Sequence, residues 1–287
     1  MTGATNAVPA SRPYRGRIAP SPTGYLHLGH ARTFWIAQQR AQKFRGSLVL
    51  RNEDLDRARC KKEFVAAMTE DLRWFGFQWQ EGPDCGGPFG PYNQSNRFDL
   101  YRAALEELKN GGLVYPCICS RKDILNALSA PHDGDEEPIY PGTCRSSRKS
   151  ESANRKFSWR FRVPDGESIS FVDGYEGEQH FVAGREFGDF VVWRHDDVPA
   201  YQLAVVLDDA AMHITEVVRG ADLLASTARQ LLLYHALGLV PPAFYHCPLM
   251  SDASGVRLAK RHAALSLRAL RERGADPERV RQEWKDD

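Results

Sequence analysis

Residues 16–30 read GRIAPSPTGYLHLGH, and the order of local structures in this stretch decides the fold. Gly16–Ala19 is typical of a short strand. Two prolines and a glycine within Pro20–Gly24 exclude regular structure there. From residue 29 to residue 44 apolar side chains recur near one face, which predicts a helix. A strand, an irregular loop and a helix in this order are typical of the start of a parallel α/β unit.

The residues that follow continue the same alternation. Ser47–Arg51 predicts a buried strand. Lys62–Phe75 predicts a helix because its apolar residues follow the helical period, and Gly76 is suited to end it. Arg97–Lys109 predicts a further helix. Strands that alternate with helices at this spacing indicate an α/β protein built around a parallel sheet.

The pattern changes near residue 115. Phe157–Val163 alternates strictly between apolar and polar residues, which predicts a half-buried antiparallel strand. Ile169–Val172 and Phe190–Trp193 are predicted to be further strands. We therefore predict four regions: the first half of the α/β domain (14–113), an insertion (114–189), the second half of the domain (190–248), and a basic loop with a short helical region (249–287).

Three segments complete the second half of the domain. Tyr201–Ala211 fits a helix or a strand equally well. His213–Val218 alternates as a strand does. Ser226–Leu237 predicts a helix that Ser226 caps at its start and Gly238 ends.

Composition excludes several classes of protein. The 287 residues include 38 basic and 37 acidic side chains, and the net charge of +1 excludes a generally polybasic nucleic-acid coat while allowing a local basic face. No apolar run exceeds five residues, as in Leu203–Leu207, so we expect no membrane span. The N-terminal stretch lacks the apolar region of a secretory signal, and the six cysteines therefore favour a metal site over disulfides.

Two histidines mark the predicted start of the first helix. His27 and His30 lie three residues apart, and Gly29 between them allows a ligand to approach the backbone closely. A helix N-terminus also offers free N–H groups and the positive end of the helix dipole. Together these features predict a phosphate-binding corner. The alternative is a loop that carries two surface histidines.

A short basic loop, Arg257–Arg261, follows a stretch of Gly and Ser residues. Such a loop can clamp a pyrophosphate, but a solvated run of charges is the alternative.

Three cysteines cluster within the predicted insertion. Cys117, Cys119 and Cys144 are soft ligands suited to zinc, and a closed tetrahedral site needs a fourth donor. The phenol oxygen of Tyr140 could supply it, with His132 or Asp133 as alternatives. Three buried free thiols would be the non-functional interpretation.

Four polar residues lie at strand ends or beside apolar runs: Arg17, Glu53, Tyr201 and Arg219. Ligands of open α/β sheets bind at the carboxyl ends of the strands. Two arginines and a carboxylate suit a zwitterionic amino acid with an additional acid group, because guanidinium pairs well with carboxylate. Ordinary surface ion pairs are the alternative.

The order of these motifs resembles the catalytic domain of class I glutamyl-tRNA synthetases. The resemblance covers roughly residues 14–265, and Arg51–Asp56, Tyr201–Asp209 and Glu216–Leu223 continue it after the opening stretch. The histidine pair looks like the HIGH signature, and Arg257–Arg261 looks like the KMSKS loop. Ala259 and Arg261 replace the two serines of that loop, whereas Lys260 keeps its lysine.

Two features point to a narrower family. The sequence ends soon after the KMSKS-like loop, where glutamyl-tRNA synthetases continue with an anticodon-binding region. The cysteine and tyrosine pattern resembles the zinc site of the shortened paralogues, the glutamyl-queuosine tRNA(Asp) synthetases. That resemblance implies a Rossmann-like parallel sheet with a zinc-containing insertion. It also implies a cytoplasmic, monomeric enzyme that has no contact with a membrane.

The resemblance further implies substrates and site residues. The substrates would be ATP with Mg²⁺, L-glutamate, and tRNA(Asp) carrying queuosine. Glutamate would contact Arg17, Ile18, Ala19, Pro20, Ser21, Glu53, Tyr201 and Arg219. ATP would contact His27, Gly29, His30 and Lys260, with the two histidines and the lysine catalytic. Structural zinc would be held by Cys117, Cys119, Tyr140 and Cys144. The alternatives are a glutamate-adenylating enzyme with another acceptor, such as a tRNA 3′ end or a small molecule, and a non-catalytic tRNA-binding module.

Basic residues gather in or near the predicted insertion and could form part of an RNA-facing surface. A solvated strand edge is the alternative. The residues are Arg145, Arg148, Lys149, Arg155, Lys156, Arg160 and Arg162.

Overall fold

The computed structural model describes residues 12–127, 139–146, 156–250 and 266–284. Within these ranges the strands are β1 (Arg15–Ile18), β2 (Ser47–Leu50), β3 (Val114–Cys117), β4 (Ser158–Phe161), β5 (Ser168–Asp173), β6 (Gly177–Val182), β7 (Phe190–Trp193), β8 (Glu216–Gly220) and β9 (Ala243–Cys247). The helices are α1 (Leu28–Lys43), α2 (Lys62–Phe75), α3 (Phe98–Asn110), α4 (Arg121–Ala127), α5 (Tyr201–Ala211), α6 (Leu224–Ala236), α7 (Leu267–Glu272) and α8 (Pro277–Gln282).

Parallel strands form the centre of the fold, as predicted. β1 pairs with β2, and β8 pairs with β9, both in parallel. The two pairs meet where the backbone N–H of Thr215 donates to the carbonyl of Arg15 at 2.9 Å. Because β1, β2, β8 and β9 run in the same direction, their carboxyl ends lie at one edge of the sheet.

Both faces of this sheet are buried. On β2, Leu48 and Leu50 pack with α1 and α2, whereas Val49 between them packs in the cluster that includes residues of α3, α5 and α6. Alternate residues of a strand point to opposite faces, so one short strand contributes to two cores. Helices on both faces are typical of a parallel α/β sheet, and the predicted fold class is confirmed in this respect.

Most predicted elements are found within one to three residues of their predicted ends. α2 begins and ends where predicted, and Gly76 takes the left-handed conformation (φ 97°) that closes it. Tyr201–Ala211, whose sequence suits a helix or a strand, is helix α5. The predicted cap of α6 is wrong: the helix begins at Leu224 after a 3₁₀ turn, and the hydroxyl of Ser226 instead accepts from Gln202 at 3.1 Å.

Antiparallel strands build the region between the two halves of the sheet. β4 pairs with β3 and β7, and β5 pairs with β6. β5 also joins the parallel sheet, because Asp173 at its end pairs with Phe244 of β9. Strand pairing therefore joins the predicted insertion to the second half of the domain, through β4 with β7 and β5 with β9, and the boundaries of the insertion stay a prediction. Over the described ranges, the helices are too short or too polar to cross a bilayer.

Candidate active site

Three charged residues from distant parts of the sequence lie at the carboxyl ends of the central strands. Arg17 is the penultimate residue of β1, Glu53 follows β2, and Arg219 is the penultimate residue of β8. All three are at least 91% buried, which is unusual for charged side chains and excludes the alternative of ordinary surface ion pairs. The loop after β1 also lies here, because the carbonyl of Pro20 accepts from the backbone N–H of Glu53 at 3.0 Å.

The other predicted residues of that loop differ in exposure. Ile18 is fully buried, and its carbonyl accepts from the N–H of Arg51 at 2.9 Å. Ala19 is half-buried, Pro20 is buried and Ser21 is exposed. The loop therefore offers backbone and a small side chain beside the charged residues.

A buried ion-pair network holds Arg17 and Glu53. The guanidinium of Arg51 donates to Asp209 at 2.6 Å and to Glu53 at 3.0 Å. Arg17 lies 3.5 Å from the same Asp209 carboxylate and donates to the carbonyl of Val218 at 2.9 Å. Burial raises the pKa of Glu53 above its ordinary value, although Arg51 partly offsets this. An added cation near Glu53 would favour its charged form.

Arg219 has hydrogen-bond partners at two of its three guanidinium nitrogens. Its Nε lies 3.1 Å from Nε2 of His246, and its Nη2 donates to Thr227 at 2.7 Å. Its Nη1 is buried and has no hydrogen-bond partner among the described residues. Burial lowers the pKa of the guanidinium, so an anion that paired with Nη1 would stabilise its charge.

Tyr201 completes this group at the start of α5. The side chain as a whole is 40% exposed, but burial of its hydroxyl raises its pKa. The charges of Arg219 and Arg17 lower the pKa of this hydroxyl, and that of Glu53 raises it, but burial outweighs the two cations. The four residues predicted from sequence therefore lie close enough together to act on one another electrostatically.

The two histidines differ in exposure. His27 is 5% exposed and precedes the first residue of α1, whereas His30 is exposed and stacks on Phe34. A Cβ added to Gly29 would meet no atom within 4 Å, so the space beside the helix start is open. This geometry leaves room for a ligand at the positive end of α1.

The basic loop Arg257–Arg261, including Lys260, lies outside the described residues. The described residues resume at Ser266, which pairs with His27, and the N–H of Leu267 donates to the carbonyl of Leu26 at 2.8 Å. Ser266 and Leu267 therefore lie next to the start of α1.

The cysteine cluster forms a compact group of soft ligands at the end of β3. The Sγ atoms of Cys117, Cys119 and Cys144 lie within 4.8 Å of one another. The hydroxyl of Tyr140 lies 3.3 Å from Sγ of Cys117 and 3.6 Å from Sγ of Cys119, and Sγ of Cys119 lies 3.5 Å from that of Cys144. Sulfur atoms around a tetrahedral zinc lie about 3.8 Å apart, because each Zn–S distance is about 2.3 Å.

These four donors therefore fit a closed zinc site. Among them, the pKa of Cys144 is lowered: burial would raise it, but the backbone of Ile118 and the hydroxyl of Tyr140 outweigh burial. A thiolate is the form that binds metal. The alternative fourth ligands, His132 and Asp133, lie outside the described residues.

The prediction of an RNA-facing surface is wrong in part. Arg160 is 7% exposed, donates to Sγ of Cys117 at 3.3 Å and lies over the ring of Tyr140. Arg145 pairs with Asp165 and Asp189. Arg162 donates to the carbonyl of Arg145 at 3.0 Å and stands over the ring of Tyr115. Lys156 is exposed, whereas Arg148, Lys149 and Arg155 lie outside the described residues.

Sequence reasoning missed the residues that support the site. Arg51, Asp209, Asp173, His246 and Thr227 are each at most 3% exposed and contact the predicted residues or one another. Two signals were available in the sequence: Arg51 and Asp209 end or begin stretches that carry the family resemblance, and Arg51, Asp209 and His246 lie within or beside strongly apolar stretches. A buried charge needs a partner, but the amino-acid sequence does not show which residue that partner is.

A family model and the curated relatives of this chain indicate the same family. Residues 14–283 match the family described as tRNA synthetases class I (E and Q), catalytic domain. The chain is 51% identical to the glutamyl-Q tRNA(Asp) synthetase of Symbiobacterium thermophilum, over 92% of this chain and 83% of that protein. It is 52% identical to the protein of the same name from Nitratidesulfovibrio vulgaris, over 91% of this chain and 82% of that protein.

A solved structure agrees with this family. The glutamate-tRNA synthetase of Elizabethkingia anophelis superposes with a TM-score of 0.77 and 31% identity over 87% of this chain. The chain spans about half of that protein, 53% of its length. The chain therefore belongs to the class I aminoacyl-tRNA synthetase family and, within it, to the glutamyl-Q tRNA(Asp) synthetase group of ligases.

Proposed function

We propose that this enzyme activates L-glutamate with ATP and transfers the glutamyl group to queuosine in the anticodon of tRNA(Asp). The observation that carries the proposal is the convergence of Arg17, Arg219 and Glu53 at the carboxyl ends of three parallel strands. Two cations and one anion in a buried site match the two carboxylates and the ammonium of glutamate. The names of the relatives from Symbiobacterium and Nitratidesulfovibrio supply the acceptor.

Each charged residue has a role in holding glutamate. The free Nη1 of Arg219 would donate to one carboxylate and Arg17 to the other. Glu53 would accept from the ammonium, which relieves the cost of its buried negative charge. Tyr201 would donate a hydrogen bond from the rim of the site, and Ile18, Ala19, Pro20 and Ser21 would line it.

The chemistry needs no enzyme nucleophile. An oxygen of the glutamate α-carboxylate attacks the α-phosphorus of ATP, and pyrophosphate leaves. A hydroxyl of the RNA then attacks the acyl carbon of the adenylate, and AMP leaves. Catalysis rests on alignment of the reactants and on stabilisation of phosphoryl charge.

The phosphates would lie at the start of α1. His27, His30 and the open space beside Gly29 would receive ATP, and Lys260 would contact the leaving pyrophosphate. The pairing of Ser266 with His27 supports this role for the basic loop, because it places residue 266, five positions after Arg261, beside the histidine motif. Mg²⁺ bound with ATP would neutralise part of the phosphate charge.

Zinc would have a structural role. Cys117, Cys119, Tyr140 and Cys144 would fill all four positions and leave none for water, which is typical of a structural site. We further propose a monomeric enzyme in the cytoplasm, where ATP and tRNA are available.

Two measurements test the proposal. Wild-type enzyme should exchange pyrophosphate into ATP in a glutamate-dependent reaction, and labelled glutamate should reach queuosine-containing but not queuosine-free tRNA(Asp). Arg219→Ala should lose most exchange, because the loss of one partner of a buried charge pair costs about 2–5 kcal/mol. Arg273→Ala, at an exposed arginine, is the matched control.

Other outcomes identify the alternatives. Exchange without labelled RNA would favour an enzyme that adenylates glutamate for another acceptor. Binding of tRNA without exchange would favour a non-catalytic module. Wild-type exchange by Arg219→Ala would overturn the assignment of Arg219.

A further inference from the structure

A buried carboxylate–imidazole pair lies directly behind Arg219. Oδ2 of Asp173 lies 2.6 Å from Nδ1 of His246, and both side chains have no exposed surface. Oδ1 of the same carboxylate accepts three backbone N–H groups, from Tyr175, Glu176 and His246, at 3.0–3.1 Å. The two oxygens of Asp173 therefore have separate roles, since Oδ1 holds the backbone and Oδ2 holds the imidazole.

This arrangement selects one tautomer of His246. Burial lowers the pKa of the imidazole, which is therefore neutral near pH 7 and carries one proton. A carboxylate is only an acceptor, so Nδ1 must hold that proton and donate it to Oδ2. Nε2 is then an acceptor, and it faces Nε of Arg219 and the hydroxyl of Thr227, both at 3.1 Å.

The selected tautomer fixes the guanidinium. Nε of Arg219 can only donate, so it needs the acceptor that Nε2 of His246 provides. Nη2 donates to Thr227 at 2.7 Å, which fixes the plane of the fork. Among the described residues Nη1 has no partner at hydrogen-bond distance, although the hydroxyl of Tyr201 lies close enough to stabilise the charge of the guanidinium. Asp173 and His246 thus direct the Nη1 end of Arg219 into the site.

We propose that Asp173 and His246 are positioning residues that orient Arg219 for a substrate carboxylate. The proposal rests on the function proposed above, in which Arg219 binds glutamate. It also gives β5 a role in the site: Asp173 ends that strand and pairs with Phe244 of β9, so a strand of the predicted insertion supplies the base of the glutamate site.

Asp173→Asn tests the proposal sharply, because it alters only one of the two roles of the side chain. The amide oxygen of Asn can accept the same three backbone N–H groups, so the turn is retained. Its NH₂ group takes the place of Oδ2 and donates to Nδ1, which moves the imidazole proton to Nε2. Two donors then face each other between His246 and Arg219. We expect the KM for glutamate in pyrophosphate exchange to rise about 10-fold to 100-fold, with the KM for ATP changed less than about twofold.

A pair of His246 variants provides the matched comparison. His246→Gln can place an amide oxygen near the position of Nε2 and should retain a glutamate KM near wild type. His246→Asn can replace only the Nδ1 side and should resemble Asp173→Asn. A purely structural role for the pair predicts the opposite order, since it makes the near-isosteric Asp173→Asn the mildest change.

The ¹⁵N shifts of His246 give a readout that needs no substrate. Wild-type protein should show a protonated Nδ1, and Asp173→Asn should show a protonated Nε2. The tautomer change without a rise in glutamate KM would overturn the positioning role. The same change in a protein whose wild type shows no glutamate-dependent exchange would contradict the proposed function but leave the geometry intact. A protonated Nε2 in wild type would overturn the inference itself.

Discussion

Oδ2 of Asp173 lies 2.6 Å from Nδ1 of His246, although 73 positions separate the two residues in the sequence. Burial lowers the pKa of His246, and hydrogen bonds from His246 and from backbone N–H groups lower that of Asp173 in spite of its burial. The folded protein therefore keeps a neutral imidazole beside a charged carboxylate. Both shifts affect how stability depends on pH.

Stability should fall as the pH drops below about 7. Unfolded His246 takes up a proton near its ordinary pKa of about 6.5, whereas burial and the cations Arg219 and Arg17 lower the pKa of the folded imidazole more than Asp173 raises it, so the imidazole resists protonation. The unfolded state then binds more protons, so the free energy of unfolding decreases towards acid pH by at most about 1.4 kcal/mol per unit from this residue.

Urea denaturation between pH 7.5 and pH 5.5 measures this slope. His246→Gln should show a shallower decline than wild type. Equal slopes in the two proteins would contradict the assignment of the decline to His246.

Removal of the charge of Glu53 should weaken glutamate binding selectively. Glu53→Gln retains the shape and an acceptor for Arg51 but loses the partner of the substrate ammonium. We expect the KM for glutamate to rise by about tenfold or more, with the KM for ATP nearly constant. Glu63→Gln, at an exposed glutamate of α2, is the control. An unchanged glutamate KM in Glu53→Gln would exclude an ammonium contact.

Asp208 should be among the residues on which folding depends most. Its fully buried carboxylate accepts from Arg97 at 2.6 Å, from Gln94 at 2.8 Å and from the hydroxyl of Tyr101. Asp208→Ala leaves buried Arg97 without its carboxylate partner, and we expect a loss of about 3–5 kcal/mol in the free energy of unfolding.

The matched control is Asp196→Ala, which removes the exposed ion pair to Arg194. It should cost less than about 1 kcal/mol. Denaturant unfolding of both variants gives the comparison, and similar losses would refute the central role of Asp208.

Zinc content should depend on the cysteine cluster and not on the remaining cysteines. Purified protein should contain about one zinc per chain, and Cys117→Ser or Cys144→Ser should abolish it, because a closed site needs all four donors. Cys85→Ser changes an exposed cysteine outside the cluster and should retain the metal. A folded wild-type protein without metal would exclude the site.

Arg145 should support the fold rather than bind RNA. Its guanidinium pairs with Asp165 and Asp189 and donates to the carbonyl of Val163. Arg145→Ala should therefore lower stability without changing the salt dependence of tRNA binding. The double variant Arg148→Ala/Lys149→Ala should flatten that dependence by up to about two units of slope if both residues contact phosphates. If the salt dependence of tRNA binding is unchanged in both proteins, the RNA-binding surface lies elsewhere on the protein.

Features that neighbouring residues control can be predicted from the amino-acid sequence. The helix Lys62–Phe75 and its end at Gly76 follow from apolar spacing and from the left-handed conformation that glycine allows. The irregular loop between β1 and α1 follows from its prolines. These features depend on short-range restrictions, and so they can be read without knowledge of the fold.

Which residues lie opposite one another depends on how distant parts of the chain pack together. The local preference of Tyr201–Ala211 does not distinguish a helix from a strand, and packing in the folded protein makes this segment a helix. Arg160 lies on an alternating strand that fits a solvated edge, but the fold places its guanidinium over Tyr140. Asp173 and His246 meet because two distant strands join one sheet. A buried polar group must find a partner, but which partner it finds depends on contacts between residues far apart in sequence.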